Sequence, residues 1–425
     1  MKKALVLAGG GTKGIYQAGV IEALKELQQD DWQIITGTSV GALNAAMLVQ
    51  GDYDKMLEMY ENLSADQIVN SYVPTPQTTF SEIFKERDSL MDSVRGWIKE
   101  HGIDIRPFIE MVHEYYDEEK FFSSDIDFGC ITATSKGHTG VYVTKDMMRE
   151  HGEDWLIASA AASPVFPVKE IDGIEYVDGG YFDNFPIDFA LRLGAEEIIA
   201  IDLHSEAIHP QYIRRKHITY IHPHSDLYSF LEFDKEKLNR AKRIGYLDGM
   251  KAFHRYAGEK YAFVPFAIPQ WFDAWYRSVL LLETKIKLAN SINHLRSEQM
   301  ITDTLKQQLH LPYLNDEDYF YGMLDEIMEI SGYDEEVIYD YDKTRKEIQD
   351  IFASALDDNY PYLPGGNMMD MTEYARTLDR KGIVMKLFHA LFYPDHKIIN
   401  DSLTLTVYPF EQAMAEFLFY MMQGE

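Results

Sequence analysis

Cysteine is nearly missing from this chain. Cys130 is the single one among 425 residues, so no internal disulfide is possible, and its place in an apolar run marks it as a buried structural thiol. Long hydrophobic runs are missing too: no stretch reaches the roughly eighteen uninterrupted apolar residues that a membrane span requires. Met1-Lys2-Lys3 followed by Ala4-Leu5-Val6-Leu7-Ala8 imitates a secretion signal, but Gly9-Gly10-Gly11 ends the run too early. We expect a first buried strand there, and a cytoplasmic protein. Positive charge is in deficit, with 40 Lys and Arg against 69 Asp and Glu and a formal charge of -29, which opposes non-specific attachment to nucleic acid or an anionic bilayer. Internal repeats and low-complexity tracts are absent. What remains is an ordinary globular composition, 46% hydrophobic and 26% charged, on a chain long enough for one large domain plus a second.

The apolar run at residues 4–8 has the character of a strand buried on both faces. It leads into Gly9-Gly10-Gly11-Thr12-Lys13-Gly14, and then into a helical pattern with Val20, Leu24 and Leu27 on one face. Gly9, Gly11 and Gly14 satisfy Gly-x-Gly-x-x-Gly, with Asp30 or Asp31 near the place of a ribose-binding acid, so an NAD(P)-binding oxidoreductase is one reading. The phosphate-loop version fails because Ile15 follows Gly14. In the other reading, the bare amides of successive glycines cradle any concentrated negative charge, including an acyl oxyanion.

A second strand, turn and helix follows at once. Gln33-Ile34-Ile35-Thr36 precedes Gly37-Thr38-Ser39-Val40-Gly41, and Val40, Leu43 and Met47 continue at helical spacing. Gly-x-Ser-x-Gly is the pattern of a nucleophile elbow, in which glycines two residues either side of a strained serine avoid collision. A hydroxyl-capped tight turn is the plainer alternative. Both turns are expected at the carboxyl ends of neighbouring parallel strands, where open α/β sheets place their sites.

Residues 52–124 read as mainly helical, with a loop at Pro74 and Pro76. Met56, Met59 and Tyr60 form one stripe and Phe108, Met111 and Val112 another, either core-facing or a lid over an apolar pocket. Strand signals return at 130–134 and 141–143. The small-residue helix Ala158-Ser159-Ala160-Ala161-Ala162-Ser163, ended by Pro164 and Pro167, allows close backbone approach. Ile174-Glu175-Tyr176-Val177 then delivers Asp178-Gly179-Gly180, either a common turn or a general base at a strand end. As a base, Asp178 needs partial burial to raise its pKa. Further strands are expected at 197–201 and 218–221, and a helix around residues 238–246 closes the domain. The strand and helix alternation predicts an α/β fold, a mostly parallel sheet flanked by helices. His222, His224 and Asp226 lack a further ligand and are read as structural. His204, at a strand end, is kept as a remote alternative base, and no metal or cofactor is expected.

Beyond residue 255 helical periodicity takes over, with stripes at Leu288, Ile292, Leu295 and at Phe410, Met414, Phe417, Leu418, Met421. Asp316-Glu317-Asp318 and Asp340-Tyr341-Asp342 lack the glycine and terminal Glu of a calcium loop and read as solvated acidic faces. Pro361, Pro364 and Gly365-Gly366 mark a long connection. We therefore expect domains at 1–255 and 256–425, the second a helical region of unknown role.

The glycine loop, elbow and Asp-Gly-Gly, in this order, resemble the three signatures of the patatin-like phospholipases, bacterial type, here with a C-terminal helical extension. The likeness spans residues 1–250 and extends to Tyr16-Gln17-Ala18-Gly19-Val20, Gly41-Ala42-Leu43-Asn44-Ala45, Ala162-Ser163-Pro164 and Asp183-Asn184-Phe185-Pro186. It implies a three-layer α/β/α domain that hydrolyses phospholipid or lysophospholipid esters, with Ser39 as nucleophile and Asp178 as its only side-chain partner. Gly9, Gly10 and Gly11 line the oxyanion hole; Gly14, Gly37, Gly41, Gly179 and Gly180 support the motifs. Lys13 stands where many relatives have arginine, and loses the bidentate fork. The implied partner is a lipid or acyl ester, met through a local apolar surface and transient membrane contact. A catalytically silent lipid-binding scaffold is the remaining alternative.

Overall fold

The computed structural model describes residues 2–65, 68, 104–163, 165–205, 207–293, 301–311, 313–357, 378–396 and 407–424. The loop expected at Pro74 and Pro76, Pro164, Leu295, the side chain of Ile292, and the connection through Pro361 to Gly366 lie outside these residues. The chain divides into two compact units, Met1–Phe253 and His254–Glu425.

The first unit is built on an eight-stranded sheet. Its strands are β1 (Lys3–Leu7), β2 (Ile34–Thr38), β3 (Asp127–Thr134), β4 (Gly140–Thr144), β5 (Lys169–Ile171), β6 (Ile174–Asp178), β7 (Glu197–Ile201) and β8 (Ile218–Ile221). The order is β5-β6-β3-β2-β1-β7-β8, with β4 paired to β3 off this path. The five strands from β3 to β8 are parallel. β4, β5 and β6 form an antiparallel flank. Ala4 to Leu7 have no exposed surface, so β1 is covered on both faces, as its unbroken apolar run predicts.

Helices α1 (Gly14–Glu26), α2 (Val40–Val49), α3 (Tyr53–Asn62), α4 (Arg106–Tyr115), α5 (Glu118–Ser123), α6 (Met148–Ser159), α7 (Ile187–Arg192) and α8 (Lys235–Ala252) complete the unit. α1 and α8 pack backbone to backbone: a Cβ on Gly19 would stand 1.9 Å from the Lys242 carbonyl oxygen. The Met56 and Phe108 stripes are buried in the core. Cys130 is fully buried, and burial pushes its thiol pKa up.

The register sets the site. β2 and β3 pair Thr38 with Ile131, and β3 pairs Thr132 with Asp178 on its other side. Ser39 and Asp178 therefore stand at about the same height at the sheet's end, one strand apart, although far apart in sequence.

The second unit is mainly helical, and its core is aromatic, with Trp275, Phe320 and Phe417 buried together. Two two-residue strands, Ala262–Phe263 and Ile338–Tyr339, pair there in parallel. The stripe from Phe410 to Met421 is buried, whereas Leu288 is 63% exposed. Of the acidic clusters, Asp316, Glu317, Asp340 and Asp342 are exposed as expected, and Asp318 is the exception. Asp318 is buried because it closes a capping box with Asn315 at the start of helix Asp316–Ser331, and Asp340 caps helix Tyr341–Ala353. Their carboxylates hold backbone amides.

Candidate active site

Ser39 follows β2 and caps α2 in a conformation that L-residues avoid, φ 56° and ψ -127°. The flanking glycines explain how the turn closes: a Cβ on Gly37 would lie 2.2 Å from the Gly41 carbonyl oxygen, and one on Gly41 would lie 2.3 Å from that of Leu7. Such backbone strain typically costs about 1–3 kcal/mol and persists only where neighbours hold it. One holder is Ser159, fully buried at the end of α6. Its Oγ accepts the Ser39 N–H at 3.0 Å and donates to the Ile131 carbonyl at 2.6 Å, tying elbow to β3. Sequence reasoning noted only the smallness of this helix; its signal was a hydroxyl inside an otherwise apolar stretch. We expect Ser159→Ala to remain folded but to lower kcat by about tenfold with little change in KM, a split that steady-state kinetics with a soluble ester will read.

Asp178 sits opposite, 1% exposed. Its backbone N–H donates to the Ala161 carbonyl at 2.9 Å. Oδ1 accepts the Gly180 N–H at 2.7 Å, while Oδ2 is buried with no partner at ordinary hydrogen-bond geometry. Burial raises the carboxyl pKa from 3.8 to about 6, against the lowering pull of the Gly180 amide and the Ser39 hydroxyl. The Ser39 hydroxyl is thus near enough to favour the charged carboxylate. Gly179 makes room for this turn, since a Cβ there would meet the Ile131 carbonyl oxygen at 2.2 Å and Thr38 Cγ2 at 2.8 Å.

The glycine loop is clamped from both sides. Asn184 accepts the Gly9 N–H on its carbonyl and donates Nδ2–H to the Gly9 carbonyl, each at 3.0 Å. Phe230 accepts the Thr12 N–H at 2.8 Å, and its carbonyl oxygen would lie 2.0 Å from a Cβ on Gly11. The Gly9 amide is thereby already used, so among the three glycines expected to line an oxyanion hole its N–H is engaged by Asn184. Among the described residues Gly10 and Gly11 make no backbone hydrogen bond through N–H, and the Val40 amide, at the start of α2, has no intrahelical acceptor. Lys13 is buried. Gly14 is crowded, because a Cβ there would meet the Tyr60 hydroxyl at 2.3 Å.

Behind the loop, Gln17 donates to the Ala8 carbonyl, Asn44 to Gln17, and the Tyr60 hydroxyl to Asn44, a buried chain from 2.8 to 3.0 Å that locks α1, α2 and α3 under the site. Gln17 and Asn44 stand within the sequence stretches quoted around the motifs, while Tyr60 reaches them from α3.

An apolar cleft with an empty volume of about 620 Å³ opens at Ser39. Gly11, Val40, Tyr60, Phe108 and Phe166 are among its walls. The predicted stripes on α3 and α4 serve both the core and this wall. The alternatives fare differently. His204 Nδ1 is bonded to the buried Asp202 at 2.9 Å, and no histidine contributes to the shift at Asp178. Asp31, one candidate ribose acid, is paired with Lys3 at 2.8 Å. His222 and His224 pack ring to ring, and no metal-holding cluster occurs among the described residues.

Residues 5–191 match the model of the patatin-like phospholipase family. Over that stretch, a little under half of its length, the chain is similar to the family. Among curated proteins, the chain is similar to lysophospholipase NTE1 of Mycosarcoma maydis, 27% identical over 209 residues, or 48% of this chain and 10% of that protein. It is also similar to patatin-like phospholipase domain-containing protein 7 of Rattus norvegicus, 27% identical over 48% of this chain and 14% of the relative. YjjU of Escherichia coli is 25% identical over 50% of this chain and 55% of its own length. The match thus spans a small part of the first two relatives and about half of the third. The solved structure of VipD from Legionella pneumophila aligns over 97% of this chain and 91% of its own at 15% identity, with a TM-score of 0.39, too loose a likeness to bear on function. No helix among the described residues is long and apolar enough to cross a membrane.

Proposed function

We propose that this protein is a serine acyl hydrolase that cleaves carboxylic esters of lipids, phospholipid or lysophospholipid, through a Ser39–Asp178 dyad. The observation that carries this reading is a strained serine facing a buried carboxylate of raised pKa at the mouth of an apolar cleft. Asp178 takes the proton as Ser39 Oγ attacks the ester carbonyl. The acyl group moves to the serine, the alcohol leaves with a proton, and water releases the acid by the same route reversed. The amides of Gly10, Gly11 and Val40 are the candidates for holding the oxyanion; one such donor typically lowers the barrier by about 2.7–4 kcal/mol. A carboxyl near pKa 3.8 would accept a hydroxyl proton poorly, and burial brings its pKa to about 6, nearer the working range.

The relatives' names include lysophospholipase and patatin-like phospholipase, which supports the lipid class. The cleft is apolar where the chain as a whole carries a formal charge of -29, so substrate is met by local apolar contact.

A fluorophosphonate probe is expected to label wild-type protein and to leave Ser39→Ala unlabelled. With nitrophenyl esters and phospholipid vesicles as substrates, kcat/KM should rise with pH along a single ionisation near 6, because the base must be deprotonated. Labelling that survives in Ser39→Ala, or activity that stays flat from about pH 5 to pH 8, overturns the assignment.

A further inference from the structure

Asp202 directly follows β7, the strand beside β1, and has no exposed surface. Proton transfer from Ser39 to Asp178 gives it no task. Its carboxylate nevertheless gathers five donors. Oδ1 accepts the Leu203 N–H at 2.7 Å, the His204 N–H at 3.2 Å and the His204 ring Nδ1–H at 2.9 Å, while Oδ2 accepts the Ile208 N–H at 3.0 Å and the Tyr220 hydroxyl. Burial pulls this carboxyl pKa up, but the bonds from His204, Tyr220 and Ile208 outweigh burial and hold it below the ordinary value. A buried carboxylate is costly unless its lone pairs are filled, and filling these ties three backbone amides beyond β7 to one point.

One of those amides belongs to Leu203, whose fully buried side chain lies against the glycine loop. A Cβ on Gly10 would stand 2.9 Å from Leu203 Cδ1 and 3.1 Å from Leu203 Cβ. The Ala8 N–H still reaches the Ile201 carbonyl, at 3.1 Å, but beyond it the N–H groups of Gly10 and Gly11 make no backbone bond among the described residues. Amides that must stay open to meet an oxyanion cannot anchor their own loop, so its aim depends on the walls. Phe230 bounds Gly11, and Leu203 bounds Gly10. We propose that Asp202 is a positioning residue for the oxyanion loop: its carboxylate fixes the backbone of Leu203, and the Leu203 side chain sets where the Gly10 amide points. This rests on the reading of Ser39 as the nucleophile. The part calls for a carboxylate, which only accepts. Asparagine would turn an N–H toward one set of donors and leave a backbone amide facing it.

The test uses the full chain, with nitrophenyl butyrate as substrate and an alkyl trifluoromethyl ketone as inhibitor, whose adduct with a serine carries the oxyanion. Active sites are counted by fluorophosphonate titration, so that a loss of folded protein does not read as a loss of rate. Asp202→Asn and Leu203→Ala are each expected to lower kcat at least about tenfold with KM within twofold of wild type. Each should raise the ketone's Ki by about the factor lost in kcat/KM, since only the tetrahedral state meets the amides. Because both act through one contact, the double variant should lie within about twofold of the more impaired single one. A double loss equal to the product of the single losses overturns the proposal. So does a kcat within twofold of wild type, or a risen KM with Ki unchanged, in either single variant. If Asp202→Asn does not fold, Leu203→Ala against the volume-conserving Leu203→Met decides: a loss in the first that is largely recovered in the second supports the proposal, and equal activity in the two overturns it. Hydrolysis of butyrate that persists in Ser39→Ala overturns the parent reading instead.

Discussion

Replacing Asp178 with asparagine is expected to lower kcat/KM by about a thousandfold while making the protein more stable at neutral pH. The first effect follows from loss of the base, since general base catalysis contributes about 10²–10⁴-fold. The second follows from burial. Below pH 3.8 the carboxyl is protonated in both folded and unfolded chains and contributes nothing to the pH dependence of stability. Between 3.8 and about 6 the unfolded chain loses its proton while the folded chain keeps it, so stability falls as pH rises. Above about 6 the folded chain bears the whole penalty of a buried carboxylate. A difference of about two pH units, at about 1.4 kcal/mol each, makes that penalty roughly 3 kcal/mol. Asparagine removes it and retains an oxygen to accept the Gly180 N–H. Urea unfolding at about pH 8 should show the variant more stable by an amount of that order, and at about pH 4 the gap should largely close. A variant that is less stable at both values would mean that Asp178 is held by an ion pair or hydrogen bonds stronger than those described, and would remove the physical basis of a tuned base. Stability spent at a catalytic carboxylate is the usual trade between folding and activity.

Much of this site was legible in the sequence because its motifs are backbone motifs. Gly37 and Gly41 announce a strained turn at Ser39, since no other residue tolerates the contacts found there. The apolar run at residues 4–8 announces a central strand, and β1 is one. Asp178 at the end of β6 was readable as a candidate base only through its place beside two glycines; the burial that raises its pKa comes from β3 and from the turn at Ala161, which are remote in sequence. The same limit hid Ser159, whose two bonds depend on β3 and the elbow both meeting it, from residues remote in sequence. It also hid the engagement of the Gly9 amide, since the acceptor, Asn184, lies 175 residues away. In the helical region periodicity placed Leu288 in a helix, as found, but did not say what covers it. Leu288 has the spacing of a buried face but stands exposed, and Asp318 has the look of a solvated cluster but is consumed as a cap. Local pattern says which residues share a face and is silent on whether anything covers it.

The elbow allows a sharper experiment on the same logic, in which two Gly→Ala substitutions that look alike in sequence have very different outcomes. Gly41→Ala places a methyl 2.3 Å from the Leu7 carbonyl oxygen and 2.7 Å from that of Ala8. Those carbonyls belong to the end of β1, whose Leu7 is held between β2 and β7 and has no exposed surface. Neither side can retreat without breaking sheet hydrogen bonds or pulling α2 off the sheet, and α2 carries the Val40 amide and Leu43. Overpacking of this kind against backbone costs typically about 1–3 kcal/mol where side chains can adjust and more where they cannot. We therefore expect Gly41→Ala to lose at least about 3 kcal/mol of stability or to fail to accumulate as soluble protein, and any folded fraction to lose fluorophosphonate labelling. Gly51→Ala is the control. Gly51 has φ 77° but nothing within 4 Å of where a Cβ would go. Its loss is that of left-handed backbone alone, about 1–2 kcal/mol, with labelling of Ser39 unchanged. Urea melts of the pair, with probe labelling on the soluble fraction, separate steric closure of the elbow from generic glycine strain. Equal destabilisation in the two variants, with labelling intact in both, would show that the elbow has slack the described contacts do not contain, and that the strained serine is held by something other than the close approach of α2 to the end of β1.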